Sequence, residues 1–119
     1  MNQELKVVVK REANYAVLHT EGYVNNPGGE KIANECYKLI GEGIKHFVMD
    51  FSKSKVINSI GISILIEIIE KTLEIKGSVS FTGLTSTIAK TFTIMGLTQY
   101  AAVYASEGEA VSRLEEKAE

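Results

Sequence analysis

The chain has 119 residues, enough for one domain whose hydrophobic core needs neither disulfides nor a metal ion. Hydrophobic residues make up 45% of it and charged residues 24%, a balance typical of folded rather than disordered proteins. There are 13 lysine and arginine residues against 15 aspartate and glutamate residues, which gives a net charge of -2. This charge, without a basic cluster, argues against a nucleic-acid partner.

Cysteine content and hydropathy indicate the cellular compartment. The single cysteine, Cys36, cannot form an internal disulfide, which fits a reducing compartment. The sequence contains no run of about 18 apolar residues, so we expect no insertion into a membrane. Residues 1–12 contain no apolar signal-peptide core. Together these features predict a cytoplasmic protein.

The first half of the chain predicts a β-hairpin, a helix and a buried strand. Residues 5–9 are rich in β-branched side chains and residues 15–20 form a second apolar run, so the two should pair as strands of a hairpin. Asn26 followed by Pro27 predicts a helix start, with Asn26 as the N-cap. Residues 46–51 are nearly all apolar, as in a central strand with a parallel neighbour.

The second half predicts a continued alternation of helices and strands. It contains, in order, a long helix at 59–76, a strand at 78–82, a helix capped by Thr85 or Ser86, a short strand at 101–104 and a last helix. Ser106 with Glu109 three residues later forms a capping box that starts the last helix. The order ββαβαβαβα predicts a single α/β domain over residues 1–119, with a mixed sheet and four packed helices.

The long helix carries apolar residues on two sides. At about 100° per residue, one side is formed by Ile62, Leu65, Ile66, Ile69 and Leu73, and we expect it to face the core. Ile64, Ile68 and Ile75 cluster on nearly the opposite side, which is unusual for a surface. These three residues either pack against a neighbouring helix of the domain or contact a partner protein. Internal packing is the favoured explanation.

No set of residues has the spacing of a catalytic or metal-binding motif. His19 and His46 fall in predicted strands without a cysteine or carboxylate at ligand spacing, so we expect packed or edge-exposed imidazoles. Cys36 lies on the apolar side of a helix, which predicts a buried, inert thiol. Gly28 and Gly29 could offer backbone N–H groups to an anion, although a permissive turn is the simpler interpretation. We therefore expect no enzyme activity, no metal and no cofactor.

One ordered set of motifs resembles a known family. A buried strand ends in Asp50-Phe51-Ser52, and after a short polar connection Asn58-Ser59-Ile60-Gly61-Ile62 opens the next helix. This order resembles the anti-sigma factor antagonist family, the STAS domain, in which the strand ends Asp-Leu/Phe-Ser and the helix opens Asp-Ser-Ser/Thr-Gly-Leu. The resemblance continues through Gly22, Phe81-Thr82-Gly83-Leu84 and residues 92–97. It implies a STAS-like fold.

The resemblance also implies a phosphorylation switch at Ser59. In the family, the serine of this turn is phosphorylated by a partner kinase that is also the anti-sigma factor. A phosphate adds roughly -1.5 to -2 charges, which a helix N-terminus tolerates. The residues implied to contact the partner are Asn25, Asn58, Ser59, Ile60 and Gly61. From the local sequence alone, Ser59 is more simply explained as a helix N-cap.

Three positions depart from the family pattern. Asn58 stands where the family has an aspartate before the serine, and Asn25 stands where it has an aspartate after the second strand. Ile60 replaces a serine or threonine. The two asparagines can cap a helix or form hydrogen bonds, but they supply no negative charge.

The expected function is that of a bacterial anti-sigma factor antagonist in transcription regulation. Such a protein binds an anti-sigma factor/serine kinase and is switched off by phosphorylation, here of Ser59. One alternative, favoured by Asn25 and Asn58, is a STAS-type scaffold or a subunit of a transporter or stress-sensing complex. Another is a small-molecule or nucleotide sensor that uses Gly28 and Gly29. The sequence leaves self-association into a homo-oligomer open.

Overall fold

The computed structural model describes residues 4–117, and its elements follow the order predicted from the sequence. The strands are β1 (Lys6–Arg11), β2 (Tyr15–Glu21), β3 (His46–Lys53), β4 (Ser78–Thr82) and β5 (Ala102–Tyr104). The helices are α1 (Asn26–Gly41), α2 (Ser59–Glu74), α3 (Ser86–Ile94) and α4 (Glu107–Lys117), with a 3-10 turn at Leu97–Gln99 before β5. No helix among these has the length and apolar character needed to cross a lipid bilayer.

The five described strands form one mixed sheet in the order β1-β2-β3-β4-β5. β1 is antiparallel to β2, as the predicted hairpin requires, and every other neighbouring pair is parallel. β3 lies in the centre and extends the predicted strand to Lys53. The predicted mixed sheet with four helices in the order ββαβαβαβα is therefore confirmed.

The main hydrophobic core lies between one face of the sheet and helices α1, α2 and α3. Alternate residues of β2 and β3 point to this face, among them the fully buried Leu18 and Met49. The rings of Phe51 and Phe81 meet edge to face with centroids 5.5 Å apart, and those of Phe81 and Phe92 with centroids 5.1 Å apart. These contacts join β3, β4 and α3, and each pair adds about 0.5–1.5 kcal/mol to the gain from burial.

Helix α4 covers the opposite face of the sheet over a smaller core. Val17 of β2 and Val48 of β3 point to this face and pack with Ala110 of α4. Few other apolar side chains join them, among them the half-buried Val111 and Leu114. Because this core is small, polar contacts matter more for holding α4 than for holding α1 or α2.

Helix α2 packs against the domain on both of its apolar sides. Ile68 is fully buried, and Ile64 approaches α1 so closely that a Cβ on Gly29 would lie 2.8 Å from Ile64 Cδ1. Internal packing, the favoured explanation for these isoleucines, is therefore confirmed for Ile64 and Ile68. The expectation that Leu73 faces the core is wrong, because this residue is 41% exposed. It lines an open groove between α2 and the turn that follows α3.

Two helix boundaries differ from the sequence prediction. Asn25, not Asn26, is the N-cap of α1, because its Oδ1 accepts the Gly28 N–H at 2.9 Å. Helix α2 ends at Glu74, two residues earlier than predicted. Ser106 caps α4 as predicted, because its Oγ accepts the Glu109 N–H at 3.1 Å. The reciprocal bond of the predicted capping box is shifted by one residue, since the Glu109 carboxylate accepts the Ala105 N–H at 2.9 Å.

Candidate functional site at the start of helix α2

The segments that lead from β2 into α1 and from β3 into α2 run side by side. Val24 and Ile57 form an isolated parallel bridge. The Val24 N–H donates to the Val56 carbonyl at 3.0 Å, and the Asn58 N–H donates to the Val24 carbonyl at 3.2 Å. Because the carboxyl ends of adjacent parallel strands meet at one edge of a sheet, these bonds bring the starts of the two helices together.

Both of these helices are capped by a half-buried asparagine. Asn25 Oδ1 accepts the Gly28 N–H at 2.9 Å, and Asn58 Oδ1 accepts the Gly61 N–H at 2.8 Å. An asparagine oxygen caps a helix about as well as an aspartate oxygen. The two departures from the acidic pattern therefore keep the caps and remove only the negative charge.

Ser59 is the exposed first residue of α2 and does not cap it. Asn58 supplies the capping oxygen, so the interpretation of Ser59 as a simple N-cap is wrong. Within the described residues the Ser59 hydroxyl makes no hydrogen bond, while its carbonyl accepts one from Ser63 Oγ at 3.1 Å. The hydroxyl is thus accessible to a modifying enzyme or to a partner surface.

Exposed apolar side chains lie close to Ser59. Ile60 follows it in the first helical turn and is 50% exposed. Tyr23 and Val56 each precede a residue of the parallel bridge, so they point away from the core on the same side, and they are 41% and 57% exposed. We call Tyr23, Val56, Ser59 and Ile60 the Ser59 surface. Apolar side chains grouped in this way are typical of a protein-binding surface.

Gly61 contributes to the site by close packing and is buried. A Cβ at this position would lie 2.1 Å from the Val24 carbonyl oxygen. Only glycine lets α2 begin so close to the neighbouring segment. Gly61 therefore positions Asn58 and Ser59, but unlike the other residues implied to contact a partner it presents no exposed surface.

The electrostatics of the site favour an anion. Neither α1 nor α2 has an acidic residue in its first turn. Lys53 and Lys55, at the end of β3 and in the connection to α2, are both exposed. The positive ends of the two helix dipoles therefore meet here with no carboxylate in either first turn.

The glycine pair at the start of α1 serves packing. The Gly28 N–H donates to the Asn25 side chain, and the Gly29 N–H donates to the Asn25 carbonyl at 2.7 Å. Both glycines are buried, and a Cβ on Gly28 would lie 2.5 Å from the Tyr23 carbonyl oxygen. The anion site expected for a nucleotide sensor is therefore not formed by these N–H groups.

A polar cluster that the sequence did not reveal lies on the face covered by α4. His19 Nδ1 lies 3.0 Å from Asp50 Oδ2, and His19 Nε2 lies 3.2 Å from Glu107 Oε1. The other Glu107 oxygen accepts from Lys10 Nζ at 3.0 Å. His19, Asp50 and Glu107 form a group of possible metal ligands. Each imidazole nitrogen lies within hydrogen-bond distance of a carboxylate, and Lys10 forms an ion pair with Glu107, so these polar contacts link α4 to three strands.

Cys36 and His46 lie away from the Ser59 surface. Cys36 is fully buried in the main core, and burial raises the pKa of its thiol to about 12, as expected for an inert thiol. His46 stands at the start of β3, the opposite end from the connection to α2, with Nδ1 2.8 Å from Ser78 Oγ. Neither residue adds a nucleophile or base to the site.

Comparison with known proteins decides the family. The profile of the STAS domain matches residues 6–110. The chain belongs to the STAS domain family. A search of curated proteins finds no matching relative.

Solved STAS-like structures share the fold over nearly the whole chain. A Thermotoga maritima protein described as an anti-sigma factor antagonist, tm1081, has a TM-score of 0.84 at 12% identity, covering 92% of this chain and 94% of its own. RsbS from Moorella thermoacetica, with a serine replaced by glutamate, has a TM-score of 0.80 at 23% identity, covering 95% and 97%. SpoIIAA from Bacillus in its phosphorylated form has a TM-score of 0.74 at 18% identity, covering 92% and 99%.

Proposed function

We propose that this STAS protein is a non-enzymatic anti-sigma factor antagonist of the bacterial cytoplasm. It binds an anti-sigma factor/serine kinase through the Ser59 surface, and phosphorylation of Ser59 switches it off. The observation that carries the proposal is the exposed Ser59 hydroxyl, which has no hydrogen bond within the described chain because Asn58 supplies the cap. Two structural neighbours support it, since one is a phosphorylated SpoIIAA and the other an RsbS with serine replaced by glutamate.

Phosphorylation of Ser59 is compatible with the fold. The phosphate would sit at the positive end of α2, next to the start of α1, which the Val24–Ile57 bridge brings alongside. The capping bond uses the Asn58 side chain, so it is not broken when the Ser59 hydroxyl is modified. We therefore expect the free energy of unfolding to change by no more than about 1 kcal/mol.

Partner binding, by contrast, is sensitive to the same phosphate. A partner that covers Ile60 and the exposed side chains of the segments leading into α1 and α2 would also cover the Ser59 hydroxyl. Once phosphorylated, that group is close to a dianion and has to be desolvated. A penalty of about 3 kcal/mol lowers affinity on the order of a hundredfold. A switch requires a modification that changes partner affinity strongly and stability little, and phosphorylation of Ser59 is expected to do both.

A second candidate function is that of a STAS scaffold within a larger assembly, such as a stress-sensing complex or a transporter. It is favoured by the asparagines at positions 25 and 58, which cap their helices without adding negative charge at the Ser59 surface. In such a protein the Ser59 surface binds its neighbour constitutively.

Affinity capture distinguishes the two functions. The wild type, Ser59→Asp and Ser63→Asp are immobilised and exposed to a lysate of the native host depleted of ATP, and ATP is then added. The proteins retained before the addition and the residues phosphorylated after it are identified by mass spectrometry. Ser63 is the matched control, because it is an exposed serine one turn further along α2. An antagonist retains a serine kinase before ATP is added and is phosphorylated at Ser59 afterwards, and only Ser59→Asp fails to retain the kinase from the start. A scaffold retains the same proteins in all three variants.

A further inference from the structure

A histidine and two carboxylates from three different elements meet at the start of α4. The parallel register of β2 and β3 sets His19 beside Asp50, and the first turn of α4 brings Glu107 next to His19. One ligand atom from each residue lies within 4.8 Å of one from each of the others. Spacing along the chain predicts no metal site, because these residues come together only through strand pairing and the return of the chain in α4.

The imidazole of His19 lies between the two carboxylates. Its Nδ1 is 3.0 Å from Asp50 Oδ2, and its Nε2 is 3.2 Å from Glu107 Oε1. A neutral imidazole donates a hydrogen from one nitrogen only, and an ionised carboxylate can only accept. If Nδ1 donates to Asp50, the lone pair of Nε2 points at an oxygen that also carries lone pairs. A cation between Nε2 and Glu107 removes this repulsion.

The gap between His19 Nε2 and Glu107 has the dimensions of a metal site. Zinc binds histidine nitrogen and carboxylate oxygen at about 2.1 Å. An ion at that distance from both atoms, which are 3.2 Å apart, would hold them at an angle of about 100°, close to tetrahedral. The side chains of the cluster are partly exposed, so an ion can reach them and water can complete its coordination.

Asp50 supports the ring from its other side. A metal-bound histidine almost always donates its second N–H to a carboxylate or a carbonyl, which orients the ring and makes the ligating nitrogen more basic. Asp50 is placed for this role, since its Oδ2 faces Nδ1 while its Oδ1 accepts the Ser52 N–H at 2.9 Å. We propose that His19 and Glu107 bind a divalent transition-metal ion such as zinc, with Asp50 as the positioning residue.

The charges at the site admit a cation but include one competitor. The two carboxylates stand against the ammonium of Lys10, which lies 3.0 Å from Glu107 Oε2 and leaves Oε1 to face His19. The positive charge of Lys10 should weaken metal binding, so its removal should strengthen it. Because only two side chains bind the ion, its dissociation constant should be on the order of 10–100 µM.

A bound ion would fasten α4 to the sheet. The core under α4 is small and is formed around Val17, Val48 and Ala110. His19 belongs to β2 and Glu107 to α4, so a metal held by both adds a link where apolar contact is sparse. Metal binding should therefore stabilise α4 more than the rest of the domain.

Calorimetric titration of the full chain with zinc chloride tests the proposal. The wild type should bind one zinc ion, His19→Gln should lose at least tenfold in affinity, and Asp50→Asn should lose about 10–100-fold. Lys10→Gln should bind several-fold more tightly than the wild type, which polar contacts without a metal site do not predict. The matched control is His46→Gln, which removes the histidine at the start of β3 and should bind zinc like the wild type.

Two further measurements locate the ion. Zinc at about 1 mM should raise the melting temperature by several degrees and slow amide hydrogen exchange in α4, whereas magnesium, which prefers all-oxygen ligands, should do neither.

Circular dichroism without metal checks the folding of each variant. Lys10 is exposed, so Lys10→Gln should stay folded and still test the site if another variant does not. A wild type that binds no zinc at about 1 mM overturns the proposal and leaves an imidazolium that donates from both nitrogens. Equal zinc affinity of the wild type and His19→Gln overturns it too, because the ion is then bound elsewhere, as does weaker binding by Lys10→Gln.

Discussion

Substitution of Asn58 tests how the start of α2 is held. Asn58→Ala removes the oxygen that accepts the Gly61 N–H at 2.8 Å, and the donor lies on a buried residue. Because that N–H is left without a partner in a site that excludes water, the free energy of unfolding should fall by about 1–2 kcal/mol, the upper range for a helix cap. For a domain of this length the melting temperature should fall by about 3–10 °C.

Asn58→Asp should have the opposite effect and raise the free energy of unfolding. The carboxylate keeps the acceptor and adds a negative charge at a helix start that has no acidic residue in its first turn. The gain should be about 0.3–1 kcal/mol at neutral pH. The folded chain stabilises the charged form of this carboxyl, so the gain is present above pH 4 and is lost as the carboxyl protonates at lower pH.

Urea denaturation followed by circular dichroism measures both effects. The matched control is Asn26→Ala, because Asn26 is exposed beside the other cap and makes no side-chain hydrogen bond within the described residues. It should change the free energy of unfolding by less than about 0.5 kcal/mol. The assignment of Asn58 as the cap would be refuted by an alanine variant as stable as the wild type, or by an aspartate variant that loses as much as the alanine one.

Two further predictions concern burial. Ile68→Glu places an unpaired charge at a fully buried position, so a thermal melt should show a loss of several kcal/mol in stability or an unfolded chain. The control is Ile60→Glu on the exposed side of the same helix, which should melt within a few degrees of the wild type. Because burial raises the pKa of the Cys36 thiol to about 12, a thiol reagent at pH 8 should react with it only after urea unfolds the chain. The thiol loses its proton at a lower pH in the unfolded chain than in the folded chain. The free energy of unfolding should therefore fall as the pH rises above 9.

The order of the elements could be predicted because apolar periodicity and turn residues agree along the chain. The apolar run before Asp50 marks the central strand, and the capping box at Ser106 marks the start of α4. Helix starts were less certain, because neighbouring residues can both act as caps. Asn25 and Asn26 compete at α1, and Asn58 and Ser59 compete at α2. The backbone conformation before the helix, which the sequence does not reveal, selects the cap.

Features that depend on sheet register or on helix ends could not be predicted. His19 meets Asp50 only because β2 and β3 pair in that register, and Glu107 joins them from a helix 88 positions after His19. Leu73 follows the apolar spacing of the core side of α2, but α3 ends before covering it. The sequence shows which side of a helix is apolar, and the length of the neighbouring helix decides how much of it is buried.

The affinity of one partner for the unmodified and phosphorylated chain tests the central claim most directly. The kinase retained by the wild type would be titrated against unmodified protein, protein phosphorylated at Ser59, and Ser59→Ala, with folding checked for each. We expect phosphorylation to lower affinity about a hundredfold at nearly unchanged stability, and Ser59→Ala to bind like the unmodified chain. Equal affinity of the unmodified and phosphorylated chains would contradict the switch and leave the Ser59 surface as a constitutive contact.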